Sequence, residues 1–294
     1  VSDSGHRRPL GAAGYVTLAC LWEATAAKPG NVYRGADFGD MTYADFVTSA
    51  AAIGPVFECA TDQSVGRLAL EAVQAMRSAA GINTHLGTIL LLAPLAKAAS
   101  CPGELFENAS VVVAATSVED AQLAFESIRL AAPSGLGETS EADVSQQPKV
   151  TLHHAMSLAA ERDLVARQYD NGFQEVRAIA AHIERLAASG RPMANAIVDA
   201  HVHQMAACPD SLIERKCGSK VAQESAARAA RVLAARDAGS ESYGQALADL
   251  DFWLRADGHR RNPGTTADLI GAALFCLLTQ DRLCWPIRFY GDPT

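Results

Sequence analysis

Ser64-Val-Gly-Arg-Leu-Ala-Leu-Glu-Ala-Val-Gln-Ala-Met-Arg-Ser-Ala-Ala80 carries the reading of the fold. Val65, Leu68, Ala72, Ala75 and Met76 recur at three- and four-residue intervals. That is the 3.6 period of a helix buried along one face. Gly81 stops it, as a residue free to adopt positive φ does at a helix end. Behind it, residues 85–98 are apolar nearly all round, which marks a helix enclosed by others. The same periodicity extends outward. Toward the N-terminus, 16–27 ends at Pro29-Gly30, and 42–59 opens with Thr42 and Asp45 at capping-box spacing. Toward the C-terminus follow 105–115, 118–132, 151–161, 173–188, 193–207, 219–236, 243–256 and 265–281. Only 111–113 and 285–290 are strand-like, and neither has a partner. The expectation is an all-α chain, one compact domain over 1–294 with about ten or more helices. Residues 1–14 read as a flexible lead-in and 133–149 as an exposed loop.

Composition narrows the function classes. The chain has 294 residues, 49% hydrophobic and 20% charged, outside the range of disordered chains. Ala fills roughly a fifth of it, which favours helix. Lys+Arg 25 against Asp+Glu 33 gives a net charge of −8, which argues against a nucleic-acid partner while leaving room for a local basic pocket. No apolar run reaches the ~18–20 residues of a membrane helix, so no membrane partner is expected. Seven cysteines include no C-x-x-C pair. Cys20, Cys59, Cys208, Cys276 and Cys284 lie among apolar residues and read as small buried hydrophobes. Without a disulfide framework, a reducing cytoplasm is the expected compartment. The apolar helix faces would serve a core or a homo-oligomer equally well.

Three polar interruptions carry chemistry. The first runs Glu23-Ala-Thr-Ala-Ala-Lys28-Pro-Gly30-Asn-Val-Tyr-Arg34-Gly-Ala-Asp37 and on to Asp40-Met41. The second is Gly81-Ile-Asn83-Thr84-His85-Leu86-Gly87, the third Asn262-Pro-Gly264-Thr265-Thr266-Ala-Asp268. Each precedes a helix, whose first N–H groups and partial positive charge attract phosphate oxygens. Gly30, Gly87 and Gly264 would let backbone approach a ligand. Lys28 and Arg34 would neutralise a polyphosphate. Each feature also has a local reading: Pro29-Gly30 as a turn, Asn83 or Thr84 as an N-cap, Thr265 and Asp268 as a capping box. None is a Walker or Rossmann fingerprint. Together they point to one nucleotide site.

Other clusters say less. His201 and His203 point about 200° apart on a helix, so one metal would not hold both. Asp199 and His203, four apart, share a face. Asp163 and Arg167 read as a surface ion pair. Pro209-Asp-Ser-Leu-Ile-Glu-Arg-Lys-Cys-Gly218 reads as a charged interhelical turn able to line a site.

At these residues the sequence resembles the ATP:dephospho-CoA triphosphoribosyltransferases, also called triphosphoribosyl-dephospho-CoA synthases. Lys28, Pro29, Gly30, Val32, Arg34, Asp40 and Met41 match the family's first motif. Asn83, Thr84, His85 and Gly87 match its Asn-Thr-His-x-Gly, and Pro263, Gly264, Ala267, Asp268 and Leu269 its last. The likeness runs from about 18 to 278. Leu86 stands where citrate-lyase-type members carry Lys, and Asn171-Gly-Phe-Gln174 keeps only the Gly-Phe of a Gly-Phe-Pro, which marks a divergent branch.

The resemblance implies a transferase. An acceptor hydroxyl, of dephospho-CoA or a similar molecule, attacks the ribose of ATP, adenine leaves, and the triphosphate stays on the transferred sugar. Such a centre passes through an oxocarbenium-like state. It implies ATP with Mg²⁺ and no redox cofactor. Lys28, Arg34 and His85 are expected phosphate contacts. Asn83, Thr84, Gly264 and Thr265 are expected donors, with Gly30, Gly87, Asn262 and Thr266 completing the binding set. Glu23, Asp40, Asp199 and Asp268 are the candidate carboxylates. The sequence leaves open which is the base, and which of Asp40, Asp199 and Asp268 binds metal. Competing expectations are the same donor chemistry with a pterin-type C1-carrier acceptor, a metal-dependent ribosyl hydrolase on an all-α scaffold, and a nucleotide sensor without turnover.

Overall fold

A computed structural model describes residues 10–132 and 146–291. Fourteen α-helices occupy most of them: α1 (Ala12–Thr25), α2 (Tyr43–Ile53), α3 (Val65–Ala80), α4 (Leu86–Ala99), α5 (Leu105–Ala114), α6 (Val118–Ala131), α7 (Leu152–Ala159), α8 (Leu164–Asn171), α9 (Gln174–Ala188), α10 (Met193–Ala207), α11 (Ser211–Cys217), α12 (Ser219–Ala235), α13 (Ser240–Arg255) and α14 (Gly264–Thr279). A four-residue strand, β1 (Ala256–His259), follows α13 directly. No described helix is long and apolar enough to cross a membrane.

The two helices that are apolar all round, α4 and α14, are the centre. They pack on each other, with α1 and α9 against α14 and α3 and α5 against α4. Amphipathic α3 turns Val65, Leu68, Ala72, Val73 and Met76 inward, close to the face read from the sequence. A smaller core of Val202, Met205, Ile213, Val232, Leu250 and Leu254 joins α10 to α11, α12 and α13.

Pro94 lies inside α4, where proline has no N–H to offer the carbonyl four residues back. That carbonyl is Leu90's, and the buried Tyr169 hydroxyl donates to it at 2.5 Å. The C-terminal tail plays a similar part for α10, whose first N–H groups, of Met193 and Ala194, bond the carbonyls of Arg288 and Phe289.

Several expectations need correction. The 42–59 helix breaks at Gly54-Pro55 into α2 and a 3₁₀ turn, Gly54–Cys59, though the Thr42–Asp45 capping box forms. α8 and α11 were missed because they are short. Asp163, read as an ion-pair partner of Arg167, and Asp210, read in a charged turn, are their N-caps. Residues 111–113 are in α5, and 285–290 form no strand. Residues 12–14 of the expected lead-in are helical, while 1–9 lie outside the described residues. So do 133–145 of the expected loop; 146–149 are irregular. All seven cysteines are free thiols, with Cys20 and Cys276 buried, Cys208 half-buried, and Cys59 and Cys284 exposed, against expectation.

Candidate functional site

The three interrupted segments, far apart in sequence, converge. Glu23, Asn31 and Asp40 from the first, Asn83, Thr84 and Gly87 from the second, and Asn262, Gly264, Thr265 and Asp268 from the third line one cavity of about 760 Å³. The joints are specific. Asn31 Nδ2 donates to Asn262 Oδ1 at 2.7 Å, and the Gly30 N–H donates to Asp251 Oδ1 at 2.7 Å. Arg255 donates to the Asn31 carbonyl and stacks on Tyr33 and Phe38. Gly30 has φ +78°, and a Cβ there would stand 2.8 Å from Leu254 and Pro263. The Pro-Gly turn is thus a docking joint, and Gly30 itself does not line the cavity.

Asp268 sits at the start of α14, yet its carboxylate serves α4. The backbone N–H and hydroxyl of Thr88 both donate to its Oδ1, each at 2.8 Å. The capping box read for Thr265 and Asp268 does not form, because this neighbouring helix claims the side chain. Gly87 is the condition for that contact: a Cβ would lie 2.1 Å from Asp268 Oδ2. Burial pushes the Asp268 carboxyl up to about 8, and the nearby Glu23 and Asp210 charges push the same way against the Thr88 bonds. Asp268 therefore takes up a proton far more readily than an ordinary carboxylate does.

Lys28 was expected on phosphate. It is fully buried, with its Nζ 2.8 Å from the Glu23 carboxylate and donating to the carbonyls of Glu23 and Ala26. Its donors are spent, so it fixes Glu23 instead. Arg34 is exposed and lines a shallow depression with Tyr33, Asn195 and Tyr290, outside the cavity. His85 is buried against Phe46, its Nδ1 2.9 Å from Thr84 Oγ1. Burial, then the Lys28 charge, lowers its pKa to about 3, so it is a neutral imidazole beside the cavity and no cationic phosphate contact. Thr266 is buried and donates through both N–H and hydroxyl to Asp210 Oδ2. It locks α14 to α11 and does not line the cavity. Asp40 stands exposed at the rim, 3.1 Å from His259 Nδ1.

Asp199 lies outside this cavity, between α9 and α10. His182 Nε2 is 2.7 Å and His203 Nε2 3.6 Å from its Oδ1. Arg191, at 2.8 Å, and Arg236 hold Oδ2. His182, Asp199 and His203 bring ligand atoms within 4.8 Å of one another. Arg185 donates to His182 Nδ1, which leaves the ring proton on Nε2, aimed at Asp199. The carboxylate is thus already compensated, and its pKa is lowered despite burial by the His182 bond and the Arg236 charge. This is a structural joint between the two cores.

The cations that do line the cavity are Arg77, Arg162, Arg215 and Lys216. Arg215 pairs with Asp163 at 3.1 Å; Asp163 was expected to pair with Arg167. Burial and the neighbouring Arg215 lower the Lys216 pKa. The 209–218 segment had been read as able to line a site; Arg77 and Arg162 carry no motif signal.

The model of the family described as ATP:dephospho-CoA triphosphoribosyl transferase matches residues 10–286. A solved chain from Archaeoglobus fulgidus, described as a candidate triphosphoribosyl-dephospho-CoA synthase, superposes with a TM-score of 0.65 at 25% identity, over 81% of this chain and 99% of that one. A search of the curated proteins returns no match. Motifs, helical architecture and family match agree over most of the chain, which therefore belongs to the ATP:dephospho-CoA triphosphoribosyl transferase family and is an enzyme of the transferase class.

Proposed function

We propose that the 760 Å³ cavity binds ATP beside an acceptor hydroxyl, that of dephospho-CoA, and is where the triphosphoribosyl group is transferred. The observation that carries this is the meeting of all three motif segments around Asp268 and Glu23. The acceptor oxygen bonds to the ribose anomeric carbon as the bond to adenine breaks, adenine taking that electron pair. Asp268, with a pKa near working pH, is suited to accept the hydroxyl proton. Glu23, held by Lys28, faces the positive charge that develops on the ribose. At the starts of α4 and α14 the Thr88 and Thr266 N–H groups already bond Asp268 and Asp210, so the cationic charge expected of Lys28 and Arg34 falls to Arg77, Arg162, Arg215 and Lys216, which the phosphates of donor and acceptor would share.

The carboxylates of Glu23 and Asp40, which also line the cavity, are the hard oxygen donors that Mg²⁺ prefers. When bound there, Mg²⁺ would neutralise part of the triphosphate charge. Free thiols throughout fit a reducing compartment such as the cytoplasm. The family match favours dephospho-CoA over a pterin-type acceptor and transfer over hydrolysis. The test is adenine release from ATP, Mg²⁺ and dephospho-CoA, followed by chromatography. Adenine is expected only with the acceptor present. No adenine with dephospho-CoA, or equal release without it, would remove the reading.

A further inference from the structure

The cavity has a wall that the transfer chemistry does not use. Phe125 and Ile128 of α6, Met156 and Ala159 of α7, and Val165 and Ala166 of α8 all line it, and none carries a side-chain nitrogen or oxygen. α7 packs between α6 and α8, so these residues form one continuous surface. The wall is bordered by charge. Arg162 lies in the turn between α7 and α8, three residues after Ala159 and three before Val165. Arg215 reaches the same turn through Asp163.

We infer that this wall holds the pantetheine arm of the acceptor, with Arg162 and Arg215 at its border on the acceptor's diphosphate. The inference rests on the functional reading above. Dephospho-CoA joins a diphosphate directly to a slim, flexible chain whose methyl and methylene groups alternate with two amides and a hydroxyl, so its binding surface must pass from cationic to mainly apolar in one step. Arg162 beside Ala159 makes that step. In ATP the ribose separates purine from phosphates and has to meet Asp268 and Glu23, so the donor needs carboxylates between its cationic and apolar contacts. A rigid purine against this wall would hold its edge nitrogens without side-chain partners, which costs binding energy, whereas the flexible arm can turn its amides and hydroxyl to the open side of the cavity. The arm gains instead by burying its methyl and methylene groups.

Filling the wall tests this. Ala159 is partly exposed to the cavity and touches no reacting group. Ala159→Trp is compared with the wild type using dephospho-CoA and ADP, which is the same acceptor without its arm. The wild type is expected to favour dephospho-CoA over ADP by about tenfold or more in kcat/KM, on the order of 1.4 kcal/mol. The Trp variant is expected to lose that preference through a higher KM for dephospho-CoA. ATP affinity by calorimetry and the rate with ADP should stay within about twofold. Ala159→Leu, a smaller plug, should give the same pattern more weakly if the Trp variant does not fold. Weaker ATP binding would assign the wall to the donor's purine and overturn the inference, as would an equal loss with both acceptors. A wild type inert with dephospho-CoA would instead sink the functional reading.

Discussion

Asp268 and Asp199 are both carboxylates set among packed helices, and they are held in opposite states. Asp268 accepts only neutral donors, the N–H and hydroxyl of Thr88, and faces the cavity with Glu23 nearby. Its pKa rises to about 8. Asp199 is gripped by Arg191, Arg236 and His182, and its pKa falls. A carboxylate left short of positive charge beside a cavity is set to receive a proton or a cation. One already paired with two guanidinium groups has less to gain from a further cation. Residue type cannot tell the two apart; the surroundings do.

Replacing each carboxylate breaks the comparison most directly. Asp268→Asn keeps the Thr88 bonds in shape but removes the base, and adenine release should fall by about 10²–10⁴-fold with the circular dichroism unchanged. Gly87→Ala should approach that loss with Asp268 itself unchanged, since the added Cβ would stand 2.1 Å from its Oδ2 and displace it. Asp199→Ala should do the reverse. Removing a buried ion-pair partner costs about 3–5 kcal/mol, but Arg191 and Arg236 are 39% and 36% exposed. The loss in urea unfolding should therefore be nearer ~2 kcal/mol after solvent screening, with kcat/KM close to wild type.

The pH dependence sharpens the contrast. The Asp268 pKa is raised above its ordinary 3.8, so its contribution to stability is full below about 4 and is lost as pH rises toward 8. That of Asp199 is depressed, so its contribution is present above the ordinary value and is lost as pH falls through the lower native one. Thermal melts between pH 5 and 8 should show the wild type weakening relative to Asp268→Asn. kcat/KM, which reports the free enzyme, should rise to an inflection near pH 8. Arg215→Ala should weaken dephospho-CoA binding by about tenfold, on the order of 1.4 kcal/mol, whereas Arg34→Ala should leave it unchanged. The smallest effect concerns the core alone. Tyr169→Phe would leave the Leu90 carbonyl unpaired at Pro94 and cost about 1–2 kcal/mol of stability without altering turnover.

Much of this was legible before the fold. The 3.6-residue period gave the long helices, because burying one face of a helix imposes that spacing on any sequence. The motifs at 83–87 and 263–269 named Asp268, Gly87 and Thr265 for the site. The short helices α8 and α11 were illegible because eight and seven residues hold too few turns for periodicity, and their capping aspartates read equally well as an ion-pair partner, Asp163, and as part of a charged turn, Asp210.

What the chain's order of residues determined by itself was the all-α class, the polar interruptions and the family they match. Only the folded molecule decided which polar groups are spent internally and which face the cavity. Lys28 turned inward to Glu23, Thr266 to Asp210 and Asp199 to its arginines, while Arg77 and Arg162 came to the cavity from segments with no motif. Periodicity is a local property written in spacing. The state of a charge depends on neighbours brought from far along the chain, and tertiary packing alone supplies them.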